Sequence, residues 1–229
     1  MNAAILLLAG QSQRLNYGVK KQFFQINDKP LFLYAFEKFL NTKKFQKIVL
    51  VISKDDFEIV NTFLKPYNND DIIGIVFGGQ TRKESVNNAL LSLKNILGPT
   101  DNVLIHDAAR ALISTELIEN ILSELSNSIC VVPAINVVDS MVKANSSTIE
   151  SYVNRDDYKL IQTPQGFKYE GILNAHINLK NKDFSDDASL MHALNIPIKI
   201  IEGDRFNIKV TTKQDLEIVK YILEGRKWI

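Results

Sequence analysis

With 229 residues, 45% of them hydrophobic and 23% charged, the chain has enough apolar material for a packed core and does not read as a disordered segment. Its 27 basic and 26 acidic residues leave a formal charge of +1, which gives no bulk electrostatic case for a nucleic acid or an anionic membrane as partner. The length suits a single domain over residues 1–229, and the apolar run Ala3–Ala9 is too short to span a bilayer, so the expectation is a soluble, cytoplasmic protein.

Apolar runs and helical periodicities alternate along the chain. Ala3–Leu8 reads as a strand buried on both faces. Leu31, Tyr34, Ala35 and Phe39 mark an amphipathic helix, Ile48–Ile52 a second strand, and Phe57, Val60 and Leu64 a second helix. Ile72–Phe77 is a third strand, followed by a helix marked by Val86, Ala89, Leu90, Leu93 and Leu97. Val103–Ile105 is a fourth, followed by a helix carrying Leu117, Ile118, Ile121, Leu122 and Leu125, with Ser114 as N-cap and Glu116 in the first turn. Ile129–Val132 ends the series; Cys130 within it is the lone cysteine and reads as a small buried thiol. This alternation predicts an α/β fold, a mostly parallel sheet with helices on both faces.

The rhythm breaks after Pro133. From Val137 to Tyr158 short apolar pairs flank the turn-forming Asn145-Ser146-Ser147, which predicts a β-hairpin or arm projecting from the sheet. Thr212 and Asp215 form a capping-box-like start for a last helix, Leu216–Leu223.

Ligands on open parallel sheets bind beyond the carboxyl ends of the strands, so the loops after the strands are where chemistry is expected. The first such loop begins Leu8-Ala9-Gly10, contains Arg14, and leads to Lys20-Lys21. Gly10 permits a tight turn, and the three cations favour anionic oxygens, but neither a P-loop nor a dinucleotide fingerprint is present. A surface turn with solvated lysines is the competing reading. After the third strand, Gly78-Gly79-Gln80-Thr81-Arg82-Lys83-Glu84-Ser85 lets backbone press against a flat base, or is a Gly-Gly turn capped by Thr81. After the fourth, Asp107 in His106-Asp107-Ala108-Ala109-Arg110 is placed to hold a metal ion or a ribose, the alternative being a buried pair with Arg110. His106, His176 and His192 show no zinc-ligand spacing.

Taken in order, LAGQSQRL (Leu8–Leu15), KKQF (Lys20–Phe23), GGQTRKESV (Gly78–Val86), HDAAR (His106–Arg110), VVDSM (Val137–Met141), VNR (Val153–Arg155), QTPQGF (Gln162–Phe167), DDAS (Asp186–Ser189) and NIKVT (Asn207–Thr211) resemble the 2-C-methyl-D-erythritol 4-phosphate cytidylyltransferase family over nearly the whole chain. The resemblance implies a Rossmann-like sheet whose β-arm swaps across a homodimer, and CMP transfer from CTP to the sugar-alcohol phosphate with Mg²⁺ or another divalent cation. It implies that Arg14, Lys21 and Lys209 surround the CTP phosphates, and that Ala9, Gly10, Gly79, Gln80 and Ser85 frame cytosine and ribose. Asp107 would lie beside the metal and nucleotide, and Arg110, Ser140, Arg155 and Thr163 would line the sugar-phosphate site.

Several positions depart from the family's usual pattern. Ser12 replaces a second glycine, Lys20 a proline before the catalytic lysine, Ala111 a proline, and Ser140 a threonine. A related ribitol 5-phosphate cytidylyltransferase family is the alternative; the Asp-Ala-Ala-Arg, Asn-Arg and Asp-Asp-Ala-Ser segments favour the erythritol substrate. A non-catalytic nucleotide-binding homologue is the second alternative, and Arg14, Lys21, Asp107 and Lys209 together speak against it.

Overall fold

Strands that must be covered on both faces carry no polar side, and such strands form the centre of this molecule. The structure, a computed structural model, describes residues 1–10, 19–67, 72–180 and 184–225. In chain order, β1 (Asn2–Leu7) precedes a small hairpin of β2 (Gln25–Ile26) and β3 (Lys29–Pro30), then α1 (Leu31–Asn41), β4 (Lys47–Ile52), α2 (Phe57–Leu64) and β5 (Ile73–Phe77). There follow α3 (Arg82–Ser92), β6 (Asn102–Asp107), α4 (Thr115–Glu124) and β7 (Cys130–Asn136). The excursion β8 (Met141–Asn145) and β9 (Thr148–Val153) leads to β10 (Lys159–Ile161), β11 (Gln165–Lys168), α5 (Tyr169–Asn178), α6 (Asp187–Ala193), β12 (Ile198–Glu202) and α7 (Lys213–Leu223).

The main sheet runs β6-β1-β4-β5 in parallel, with Leu7 paired to Asp107 on one side and to Val51 on the other. Beyond β6 lies the antiparallel β11, then β7, which takes β10 on the β11 side and the parallel β12 on its other side. Alternate side chains of the central strands go to opposite layers. Ala4, Leu6, Leu8, Ile48, Leu50 and Leu104 pack with α1, α2 and α4, whereas Ala3, Ile5, Val49, Val51 and Val103 pack with α3, α5 and α6. The mostly parallel α/β architecture expected from the alternation is therefore the one found. Helix α1 shows what holds these layers: no side chain caps its start, yet Leu31, Phe32, Leu33, Phe36 and Phe39 are buried. At about 1.5–3 kcal/mol per buried side chain, that face outweighs a missing cap worth about 1 kcal/mol.

Element bounds shift at the edges. The fourth expected strand, Val103–Ile105, extends over Asn102–Asp107, and Ile129–Val132 becomes Cys130–Asn136. The short β10, β11 and β12 carry polar or glycine positions that mask an apolar run. The β2–β3 turn is an Asn27-Asp28 pair with φ of 49° and 59°, the left-handed conformation those residues tolerate. Ser114 caps α4 through Leu117 N–H, and Thr212 with Asp215 forms the full capping box of α7, both as expected. Cys130 is fully buried, and burial pushes its thiol up to about 12, so it is an inert core residue.

Between Val137 and Tyr158, β8 and β9 pair, among the described residues, only with each other, joined by a turn in which Ser146 takes a φ of 51°. Val142, Ile149 and Tyr152 on this ribbon are exposed, Tyr152 by 75%. No described helix is long and apolar enough to cross a membrane.

Candidate active site

The carboxyl ends of β1, β5 and β6 bring three of the motif loops together. Gly78 hydrogen-bonds through its N–H to Ile52 carbonyl, and a β-carbon placed on it would lie 2.7 Å from Ser85 Oγ and 2.9 Å from Ala9 Cβ. Glycine is what lets the loop after β5 close against the loop after β1. Ser85 is buried, donates its hydroxyl to Thr81 carbonyl at 2.9 Å and accepts Gly79 N–H at 3.1 Å. Gly79 and Gln80 are exposed beside it, with Gln80 N–H donating to Glu84 Oε2, whereas Gly10, also exposed, accepts from Gln22 Nε2 at 3.3 Å. Ala9, Gly79, Gln80 and Ser85 thus share one rim.

Asp107 ends β6 and collects the charges. Lys209 Nζ lies 2.7 Å from one carboxylate oxygen and Arg82 Nε 3.6 Å from the other. Burial alone raises a carboxyl pKa, but Arg82 and Lys209 override it and hold Asp107 well below the usual carboxylate range. The alternative of an Asp107–Arg110 pair does not form: Arg110 instead donates to Asn207 carbonyl at 2.7 Å. Arg82 also binds Asp187 of α6 at 2.7 Å, and Asp187, 1% exposed, lies 3.3 Å from His176. Arg82 therefore ties the start of α3 to both Asp107 and α6. It stood in the GGQTRKESV run without an assigned role, because both of its partners are distant in sequence.

A hydrogen-bond chain stiffens the loop after β6. Asp107 N–H donates to Thr163 Oγ1 at 3.1 Å, Thr163 Oγ1 lies 3.2 Å from His106 Nδ1, and His106 Nε2 lies 3.2 Å from Arg110 carbonyl. A carbonyl can only accept, so His106 carries its proton on Nε2, and Thr163 must donate to Nδ1. Thr163, expected at the sugar-phosphate site, is 5% exposed and buttresses Asp107. Asn207 donates to Thr163 carbonyl at 2.8 Å and Val210 N–H to Ala109 carbonyl at 2.9 Å, which draws the Asn207–Thr211 segment onto the same loops. Lys21 Nζ donates to Val210 carbonyl at 2.9 Å. Lys21, Lys209, Asp107 and Arg82 so converge within one cluster.

Not every expected residue joins it. Arg14 lies outside the described residues. Ser140 and Arg155 are exposed at the base of the β8–β9 ribbon, where Arg155 donates to Val138 carbonyl. An open cleft of about 900 Å³ lies elsewhere, lined by Glu116, Lys159, Glu202 and Arg205 among others, and contains none of the expected site residues.

His106 makes acid stability a readout of this buttress. Burial pushes its pKa down to about 4, so it stays neutral in the folded chain, while an unfolded chain takes up a proton near 6.5. Below pH 6.5 the unfolded state binds more protons, and stability falls as pH falls, by on the order of 3 kcal/mol once pH 4 is reached. Asp107 contributes only at lower pH, because its depressed pKa matters below the ordinary carboxylate value. Urea unfolding at pH 7 and pH 4.5 should show this loss in the unmodified chain and a shallower one in His106→Asn. Equal slopes would mean that His106 titrates normally.

The sequence and fold match known proteins over nearly the whole of this chain. The family model described as IspD, 2-C-methyl-D-erythritol 4-phosphate cytidylyltransferase, matches residues 2–225. A 2-C-methyl-D-erythritol 4-phosphate cytidylyltransferase of Thermotoga neapolitana is 37% identical over 228 residues, covering 100% of this chain and 98% of that protein. A crystal structure of 4-diphosphocytidyl-2C-methyl-D-erythritol synthase superposes with a TM-score of 0.84 at 27% identity, covering 97% of this chain and 98% of that one. The bifunctional IspDF of Campylobacter jejuni gives a TM-score of 0.80 at 32% identity, with 94% of this chain matched to 53% of that one. With a family model spanning it almost end to end and a relative this similar over its whole length, the chain belongs to the 2-C-methyl-D-erythritol 4-phosphate cytidylyltransferase family.

Proposed function

We propose that this chain is a nucleotidyltransferase that moves CMP from CTP to 2-C-methyl-D-erythritol 4-phosphate, releasing pyrophosphate, as a step of isoprenoid precursor synthesis. The observation that carries the reading is the full-length family match. The pairing of Lys209 and Arg82 with Asp107 at the strand ends, with Lys21 reaching Val210 carbonyl next to Lys209, is the kind of charge cluster that reaction needs. An oxygen of the substrate phosphate attacks the α-phosphorus of CTP in line; the new O–P bond forms as the bond to the β-phosphate oxygen breaks. A phosphate monoester is largely ionised near neutral pH, so no side chain has to remove a proton. His106, neutral and committed to the buttress, fits that requirement.

Two anions must meet, and the work left to the protein is alignment and fixed positive charge. We assign Lys21 and Arg14 to the α-phosphate and Lys209 to the phosphates and ribose side, with Ala9, Gly10, Gly79, Gln80 and Ser85 framing the base. Arg110, Ser140 and Arg155 take the sugar phosphate, and Thr163 supports Asp107 from behind. Among the described residues no group of three or more His, Cys, Asp or Glu could hold a metal ion. One carboxylate, Asp107, stands at the cluster, and that suits magnesium, which binds through one or two carboxylates together with substrate phosphates. When bound, the cation supplies charge neutralisation on the triphosphate, and Asp107 is the residue that would hold it. A single buried cysteine is in keeping with a reducing cytoplasm.

Pyrophosphate release, measured with CTP, ATP and GTP against methylerythritol and ribitol phosphates, tests the reading. Turnover should require CTP and methylerythritol phosphate; comparable rates with a purine nucleotide or with ribitol phosphate would refute it.

We also place the β8–β9 ribbon as an arm that completes the site of a second subunit. A free two-stranded ribbon is marginal in water, and its exposed Val142, Ile149 and Tyr152 gain a cover in a homodimer. Refolding Lys21→Ala and Arg155→Ala chains together checks this. With the arm acting in trans, a mixed dimer has one doubly defective site and one intact site, so random pairing returns roughly a quarter of the unmodified activity. Verified mixed dimers that stay inactive would retire the exchanged arm.

A further inference from the structure

Two adjacent lysines enter the cluster region, and the structure treats them differently. Lys20 Nζ lies 2.7 and 2.8 Å from the two carboxylate oxygens of Asp56 and 3.0 Å from Ser53 Oγ. Ser53 in turn donates to Asp56 Oδ2 at 2.6 Å, and Asp56 is only 6% exposed. These partners stand just past the end of β4, so the Lys20 side chain is fastened to the central sheet. On the other side of Lys21, Gln22 is buried and donates its amide to Leu8 carbonyl at 2.6 Å, and the buried Phe23 ring meets Phe32 edge-on at 6.0 Å. Lys21 between them sends its ammonium toward Val210 carbonyl.

We propose that Lys20 is a positioning residue for Lys21: its ion pair with Asp56 and Ser53 locks the backbone from which Lys21 reaches the reacting phosphates. The ammonium of Lys20 is balanced by the Asp56 carboxylate, so it adds little net positive charge for a phosphate to feel. Its backbone supports the same reading. Lys20 has φ of −65° and ψ of 138°, and −65° is the φ that a proline ring imposes. The proline that usually precedes the catalytic lysine in the resembling family would fix this torsion covalently; here the ion pair to Asp56 restrains the segment through the side chain instead. Fixing the carrier matters because an electrostatic catalyst acts only if its charge is already in place, and an ångström of misplacement costs on the order of 10²-fold.

The inference rests on Lys21 as the transition-state cation, and its test separates the two. Steady-state rates of pyrophosphate release are compared for Lys20→Met, Lys20→Pro, Asp56→Asn, Lys20→Met with Asp56→Asn, and Lys21→Ala, with melting temperature as the folding check. Lys20→Met should lower kcat about tenfold with the KM for CTP moved less than about threefold. Asp56→Asn should match it, and the double variant should be no slower than Lys20→Met, since both remove one latch. Lys20→Pro should recover to within about threefold of the unmodified rate, although it carries no charge. An unimpaired Lys20→Met beside an impaired Lys21→Ala overturns the latch alone. A Lys20→Pro as slow as Lys20→Met also overturns it, because the charge itself would then be what acts. A Lys21→Ala chain that keeps its rate removes the role of Lys21 and the latch with it.

Discussion

Replacing Lys21 with alanine should lower kcat by roughly two orders of magnitude or more while the chain stays folded. The expectation comes from where charge appears during the reaction. Negative charge accumulates around the α-phosphorus as the incoming phosphate adds, and a cation already aimed there stabilises that state more than the ground state. Lys21 is half-buried, is carried on a turn whose neighbours are fastened to β1 and β4, and donates to Val210 carbonyl within the cluster. Folding does not depend on its ammonium, because the turn is held by Gln22 and Phe23 and by backbone bonds from Phe23 and Phe24 to Lys20 and Lys21 carbonyls. Single-turnover rates and thermal melts check both halves. A loss confined to KM would mean that Lys21 holds substrate and transition state equally, and a rate within a few-fold of the unmodified chain would end its assignment.

How much of this was readable beforehand follows from which interactions are local. The central strands were readable because burial on both faces leaves a continuous apolar run, as in Ile48–Ile52. Strand β11 was not, although Gln165, Gly166 and Phe167 are buried. Gln165 satisfies its amide with Asp186 and Ala188 N–H, and a β-carbon on Gly166 would lie 2.5 Å from Ile121 Cγ2. Polar and glycine positions there do the work of apolar ones through contacts that lie far along the chain. The same distinction divides the site. Lys21, Asp107 and Lys209 announce themselves as charged groups beyond strand ends. Arg82, the bridge between Asp107 and Asp187, and Lys20, the partner of Asp56, are defined by long-range pairings that one sequence does not display.

Asp107→Asn should cost roughly two orders of magnitude or more in kcat/KM and leave the fold intact, with more divalent cation needed to reach what activity remains. The substitution keeps the shape of the side chain and removes the charge on which Lys209 and Arg82 converge. In the unmodified chain those two cations keep the carboxylate ionised through the neutral range, so it carries the charge that a metal ion needs without first losing a proton. Loss of the charge does not strand either partner in the interior. Lys209 is 42% exposed and turns to water, and Arg82 keeps Asp187 at 2.7 Å. The backbone N–H of residue 107 still donates to Thr163, so the buttress through His106 survives as well. Titrating magnesium at saturating CTP, alongside a thermal melt, separates the outcomes. An unchanged cation requirement with a lowered rate would mean that Asp107 serves only to orient Lys209, and an unchanged rate would remove it from the site.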